Sequence, residues 1–155
     1  MARAVLLNLG GQLAVAWNEE TVYRGYLYDT WSPVFTPAGT ATGLTLLFAL
    51  AHPLRPQTLL GEATLGATLM LLRVAGNGIW APVGYHWAWN MLQTAVFGPD
   101  DGPPSLRPLH VRGPRRWVGT PGRPDPGLLM TIVNTAVAFG LAVWLWRRRD
   151  YGAIR

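Results

Sequence analysis

This sequence predicts an all-α fold, a polytopic membrane helix bundle of about five apolar helices, and three observations predict it. Half of its 155 residues are hydrophobic and only 14% are charged, well below the roughly 25% of an ordinary soluble domain. The apolar residues gather in five long runs. The charged residues gather between and after those runs, as they do in the loops and flanks of membrane proteins.

The first run covers residues 4–17 and is interrupted by two acids. It reads as a helix that enters the membrane. The competing reading is a signal peptide, with Arg3, an apolar run and Ala14-Val15-Ala16 as a small-residue cleavage site. Residues 21–31 would continue the helix as an amphipathic turn or two, with Tyr23, Tyr26, Tyr28 and Trp31 at headgroup level. The second run, 38–54, and the fourth, 80–97, lie near the lower limit of about 17 residues for a spanning helix. The third, 58–75, holds Glu62 and Arg73 near its ends. Polar residues inside such runs must face the bundle interior, because lipid offers them no partner. The fifth run, 128–146, has no charge and is followed by Arg147, Arg148 and Arg149.

Residues 99–126 differ in kind, holding 8 of the 13 prolines and five arginines. Proline at that density blocks helix and sheet alike. The expected organisation is a single membrane domain over 1–155, with a Pro/Arg-rich loop at 99–126 before a last helix at 128–146. His110 falls in that loop and is given no role. The arginines after residue 146 favour a cytoplasmic C-terminus, and those of the loop favour the opposite, so the positive-inside rule is split.

The net charge is +5, from 13 arginines against 8 acids, with no lysine and no cysteine. Nucleic-acid binding wants a basic face on a soluble fold; these arginines avoid the apolar runs, so no nucleic-acid partner is expected. The lack of cysteine excludes a disulfide scaffold, thiolate metal ligands and a cysteine nucleophile. The apolar content excludes a disordered chain.

Three runs carry polar groups at helical spacing. Glu19 and Glu20 are adjacent, and Arg24 follows Glu20 by four residues, on the same helix face. This cluster is either an ion pair closing a helix at the interface or a base (one glutamate) held by a second glutamate paired to the arginine. Adjacent carboxylates repel, and the arginine offsets that repulsion. His52 follows Phe48 by four residues and precedes Pro53; alone, it reads as an interfacial histidine, and Phe48 as packing. His86 and Asn90 are again four apart. Inside an apolar segment they are costly unless paired, and interhelical polar glue is the alternative to chemistry. If the helices bundle, all of these groups converge on one wet pocket. A carboxylate takes a proton from water, and imidazole and carboxamide donate to the oxyanion that forms. That set suits hydrolysis of an amide.

These residues resemble the CPBP family of intramembrane proteases, which holds the CAAX prenyl endopeptidases and the bacteriocin-processing and immunity (Abi) group. Its three motifs, EExxxR, FxxxH and HxxxN, match Glu19-Glu20-Thr-Val-Tyr-Arg24, Phe48-Ala-Leu-Ala-His52 and His86-Trp-Ala-Trp-Asn90. The approach Gly78-Ile-Trp80-Ala-Pro82-Val is also similar to the family's lead-in to the third motif. The resemblance covers residues 15–98. It implies an integral, multi-pass protein of a bacterial plasma membrane, with the bilayer and a membrane-associated peptide or protein substrate as its partners. It further implies a glutamate-dependent endopeptidase. Glu19 would be the general base, with Glu20 and Arg24 as its support. His52 would position the water, His86 and Asn90 would form the oxyanion site, and Phe48 would play a supporting part. No cofactor is required on that mechanism. The metallopeptidase variant would place zinc on Glu19, His52 and His86, a His₂Glu set. Family members have further helices before the first motif; here residues 1–18 precede Glu19, so those helices are expected to be missing. Two other readings stand beside the protease: a non-catalytic membrane immunity or binding module with the same fold, and a bis-histidine haem protein with His52 and His86 as axial ligands.

Overall fold

The computed structural model describes residues 2–97, 112–119 and 127–152. Among these the chain is helical, with no strand. Helix α1 (Ala2–Glu20) runs into a π-helical segment (Thr21–Tyr26) and then α2 (Leu27–Trp31). The junction residues Glu20 and Leu27 keep ordinary helical dihedrals, so all three form one rod with a widened turn in it. The other rods are α3 (Pro37–Leu50), α4 (Pro56–Gly76), α5 (Trp80–Met91) with a second π-helical segment (Leu92–Val96), and α7 (Leu128–Gly152). A short α6 (Arg115–Val118) is the described part of the Pro/Arg-rich region. The rest of the loop expected at 99–126, His110 included, lies outside the described residues.

Local chemistry sets the ends. Proline occupies the first turn of both α3 and α4, where a missing N–H costs nothing. The Thr36 side chain caps α3 by accepting the Gly39 N–H at 3.0 Å. Helix α4 stops at Asn77, which adopts φ 47° and bonds its N–H back to the Arg73 carbonyl. Asparagine tolerates that left-handed conformation better than most residues.

Helix α4 is central, packed against α3, α5, α7 and the first π-segment. Phe48, Leu65, Leu69 and Trp89 form the core, with Tyr23, Tyr85 and Met130 against it. Polar links tie the rods together. The Trp87 indole donates to the Leu9 carbonyl at 3.1 Å and the Asn8 amide to Thr94 Oγ1 at 3.1 Å. Buried Asn134 of α7 receives Thr68 at its carbonyl, 3.1 Å, and the Tyr85 hydroxyl at its side-chain oxygen, 2.9 Å.

The bundle of five rods agrees with the expected fold class. Two of its helices are long and apolar enough to cross a membrane among the described residues, Pro56–Gly76 and Leu128–Arg148. Helix α3 has 14 residues, about 21 Å at 1.5 Å per residue, against a hydrocarbon core of about 30 Å. Its short length follows from Pro37 at one end and the His52-Pro53 break at the other. Only 11% of the α7 span is buried inside the bundle; its apolar surface faces outward, as a lipid-facing helix requires.

The tyrosines correct one expectation. Tyr26 is 70% exposed, but Tyr23 stands edge-on to Phe48 at 5.3 Å in the core. Trp31 lies on Gly43 of α3, where a β-carbon would come within 2.9 Å of its ring. The π-turn rotates this stretch so that Tyr23 points inward, which a regular helical wheel does not anticipate.

Candidate active site

The site is built where the first π-segment, the end of α3, α4 and α5 meet. Glu20 and Arg24 are both fully buried. Their four-residue spacing survives the π-turn, and Arg24 Nη1 donates to Glu20 Oε1 at 2.9 Å. The other guanidinium arm, Nη2, donates to the Gly66 carbonyl at 3.0 Å, and the guanidinium carbon lies 4.5 Å from the Phe48 ring centre. From below, Arg73 Nε donates to the Arg24 carbonyl at 2.8 Å. Arg24 is thus held by α1, by two residues of α4 and by an aromatic face from α3.

Gly66 makes this approach possible. A β-carbon there would meet Phe48 at 3.2 Å and Arg24 Nη2 at 3.5 Å. Gly66→Val is therefore expected to push both away and to cost about 1–3 kcal/mol of stability. Denaturation midpoints of the detergent-solubilised variant check this, and a wild-type midpoint would contradict it.

Glu20 Oε1 serves two donors. Besides Arg24 it accepts His86 Nδ1 at 2.8 Å. A carboxylate only accepts, so Nδ1 carries the proton and Nε2 is the ring nitrogen turned toward Glu19, whose Oε2 is 3.9 Å away. That Glu19 oxygen is buried and has no hydrogen-bond partner, although the side chain as a whole is 29% exposed. Glu19 also lines a cavity of about 300 Å³, with Asn18, Val22, Tyr23, Ala51 and His52 as the other walls. The chain therefore presents an acid that lines a cavity and whose Oε2, buried and unpartnered, is backed by an imidazole.

His52 stands just past the end of α3. Its Nδ1 donates to the Phe48 carbonyl at 2.9 Å, and its ring rests on the Phe48 ring, centre to centre 4.9 Å. Its Nε2 faces Glu62 Oε2 of α4 at 3.7 Å. Phe48 also meets His86 edge-on at 6.1 Å, so one phenyl ring supports both imidazoles and the guanidinium.

The structure thus brings together Glu19, Glu20, Arg24 and His86, and it puts His52 on the same cavity as Glu19. Asn90 is half-buried one turn beyond His86, and its carbonyl accepts the Thr94 hydroxyl at 2.9 Å. No hydrogen bond joins its carboxamide to the four grouped residues among the described contacts. Zinc was the alternative for Glu19, His52 and His86. Among the described residues no three His, Cys, Asp or Glu side chains are close enough to hold a metal ion, and the two imidazoles face separate acids.

Glu62 and Gly66 are the residues that motif spacing missed. Glu62 had a signal of its own, as the one acid inside the third apolar run; an ionisable residue there asks for a partner. Gly66 had none, since its role depends on which helix faces it.

No curated protein and no solved structure matches this chain. A family model described as type II CAAX prenyl endopeptidase, Rce1-like, matches residues 2–92, a stretch that contains every group of the site.

Proposed function

The chain belongs to the Rce1-like type II CAAX prenyl endopeptidase family, and from that premise we propose that it hydrolyses a peptide bond of a membrane-associated peptide or protein, CAAX-type or related, by glutamate-activated water. The observation that carries this reading is the unpartnered Glu19 Oε2, buried beside the cavity and 3.9 Å from His86 Nε2. The 3.9 Å separation is one that a single water, admitted from the cavity, spans at ordinary hydrogen-bond length of about 2.8 Å to each atom.

In this reading Glu19 accepts one proton of that water while the oxygen adds to the scissile carbonyl. The C–N bond then breaks, and the proton on Glu19 passes to the departing nitrogen. Glu20 and Arg24 act on His86. The Glu20 carboxylate fixes the Nδ1 proton, and Arg24 keeps that carboxylate from moving or discharging elsewhere. His86 Nε2 steadies the water as an acceptor. The Asn90 carboxamide, one turn along the same face, donates to the oxyanion; removing one such donor costs about 2.7–4 kcal/mol of the barrier. His52 closes the opposite wall of the cavity. The protein works as a multi-pass component of a bacterial plasma membrane, with water reaching the cavity from one side.

The test is hydrolysis in heavy-oxygen water. Reconstituted protein is given membrane-tethered peptides with and without a C-terminal prenyl-cysteine motif. The expected product carries one heavy oxygen in its new carboxylate. The peptides without the motif show whether prenylation is needed. Vesicles that release no product from either set overturn the proposal.

A further inference from the structure

We propose that Glu62 is a positioning residue of this site, acting through His52; the inference rests on the peptidase reading above. A buried carboxylate is costly unless a partner compensates it, and Glu62, in the second turn of α4, is only 7% exposed. One such partner is the imidazole of His52, 3.7 Å away. His52 needs one. It lies beyond the last residue of α3, in the short link to α4; its backbone N–H donates to the Ala49 carbonyl, and its ring is held by its own helix through the Phe48 carbonyl and ring. With Nδ1 spent on that carbonyl, Nε2 is the remaining handle, and Glu62 is what meets it.

The arrangement repeats the other half of the site. His86 is held at Nδ1 by an acid from a neighbouring rod, and His52 is faced at Nε2 by an acid from a neighbouring rod. The two imidazoles share the Phe48 ring between them. Glu62 and His52 are in electrostatic contact at a separation long for a hydrogen bond. Because Nδ1 donates to the Phe48 carbonyl, closing the pair by a ring swing of under an ångström requires a proton on Nε2 as well, both ring nitrogens then donating; resting active sites commonly show such long contacts. His52 lines the same cavity as Glu19. A ring left loose there would admit substrate but present it poorly, so the loss falls on turnover rather than on binding.

The experiment combines Glu62→Gln with His52→Ala and reads kinetics together with the ring-nitrogen resonances of histidine in the micelle-bound full chain. A misplacement of about 1 Å at a reacting centre costs on the order of 10²-fold, so Glu62→Gln is expected to lower kcat by about 10- to 100-fold with KM changed less than about twofold. It should shift the His52 signals and leave those of His86 in place. In the His52→Ala background the same change should cost less than about twofold, because two residues acting as a unit are not additive. Wild-type turnover in Glu62→Gln, an undiminished loss in the His52→Ala background, or unmoved His52 signals would each overturn the proposal. Glu62→Gln keeps the side-chain volume; should it still fail to fold, Glu62→Asp takes its place, with partial recovery of kcat expected. A wild-type protein that cleaves nothing overturns the peptidase reading instead, and the ring signals then decide the His52–Glu62 pairing by themselves.

Discussion

Glu19→Gln is expected to leave the bundle folded and to lower kcat by about 10²- to 10⁴-fold, the usual worth of a positioned general base. The two halves of that expectation rest on different observations. The rate falls because a carboxamide cannot take the proton of water. The fold stands because Glu19 Oε2 has no hydrogen-bond partner to lose and its ion pair with His86 is long, at 3.9 Å. Turnover and denaturation midpoint, measured on the same preparation, separate the two. Glu20→Gln gives the contrast, since its Oε1 receives both Arg24 and His86, and both turnover and midpoint should drop. A Glu19→Gln protein that turns over normally would remove Glu19 as the base.

Arg24→Met has the largest expected effect on stability, a loss of about 3–5 kcal/mol, as found when one partner of a buried ion pair is removed. Methionine fills much of the volume and leaves three deficits. Glu20 keeps its charge with no exposure to solvent, the Gly66 carbonyl loses its donor, and the Phe48 ring loses the cation on its face. The double variant Glu20→Gln with Arg24→Met removes both charges and is expected to regain more than half of the loss, because apolar or neutral replacement of a whole buried pair is often close to neutral. Equilibrium unfolding in mixed micelles measures both. A loss under about 1 kcal/mol in Arg24→Met would place the pair in the class of exposed salt bridges and contradict the burial on which the site depends.

The chemistry-bearing residues were legible because helices repeat. A four-residue step puts Glu20 beside Arg24, Phe48 beside His52 and His86 on one face with Asn90, and the first two pairings are met as contacts. What periodicity cannot express is a change of period. The π-segment Thr21–Tyr26 begins directly after the acid pair, and it turns Tyr23 into the core instead of toward headgroups. Partners across helices were equally hidden. The Glu20–His86 bond spans 66 residues and the Arg24–Gly66 bond 42, and no local rule assigns either. The membrane character was plain in composition, but the number of spans was not. Apolar run length overstates α3, because residues 51–54 belong to the link beyond its end, and α1 is diluted by Asn8, Gly10, Gly11 and Gln12.

One oxygen atom, Glu20 Oε1, sets the order in which this protein can come alive. It joins the first rod to the fourth run through His86 and, by way of Arg24, to the middle of α4. On a ribosome adding roughly 5–20 residues per second, the acid emerges several seconds before the imidazole that completes it. Until that later segment has been threaded into the bilayer, the nascent chain holds an acid pair with an arginine and no aligned water. Completion of the Glu20–Arg24–His86 cluster therefore waits on tertiary assembly.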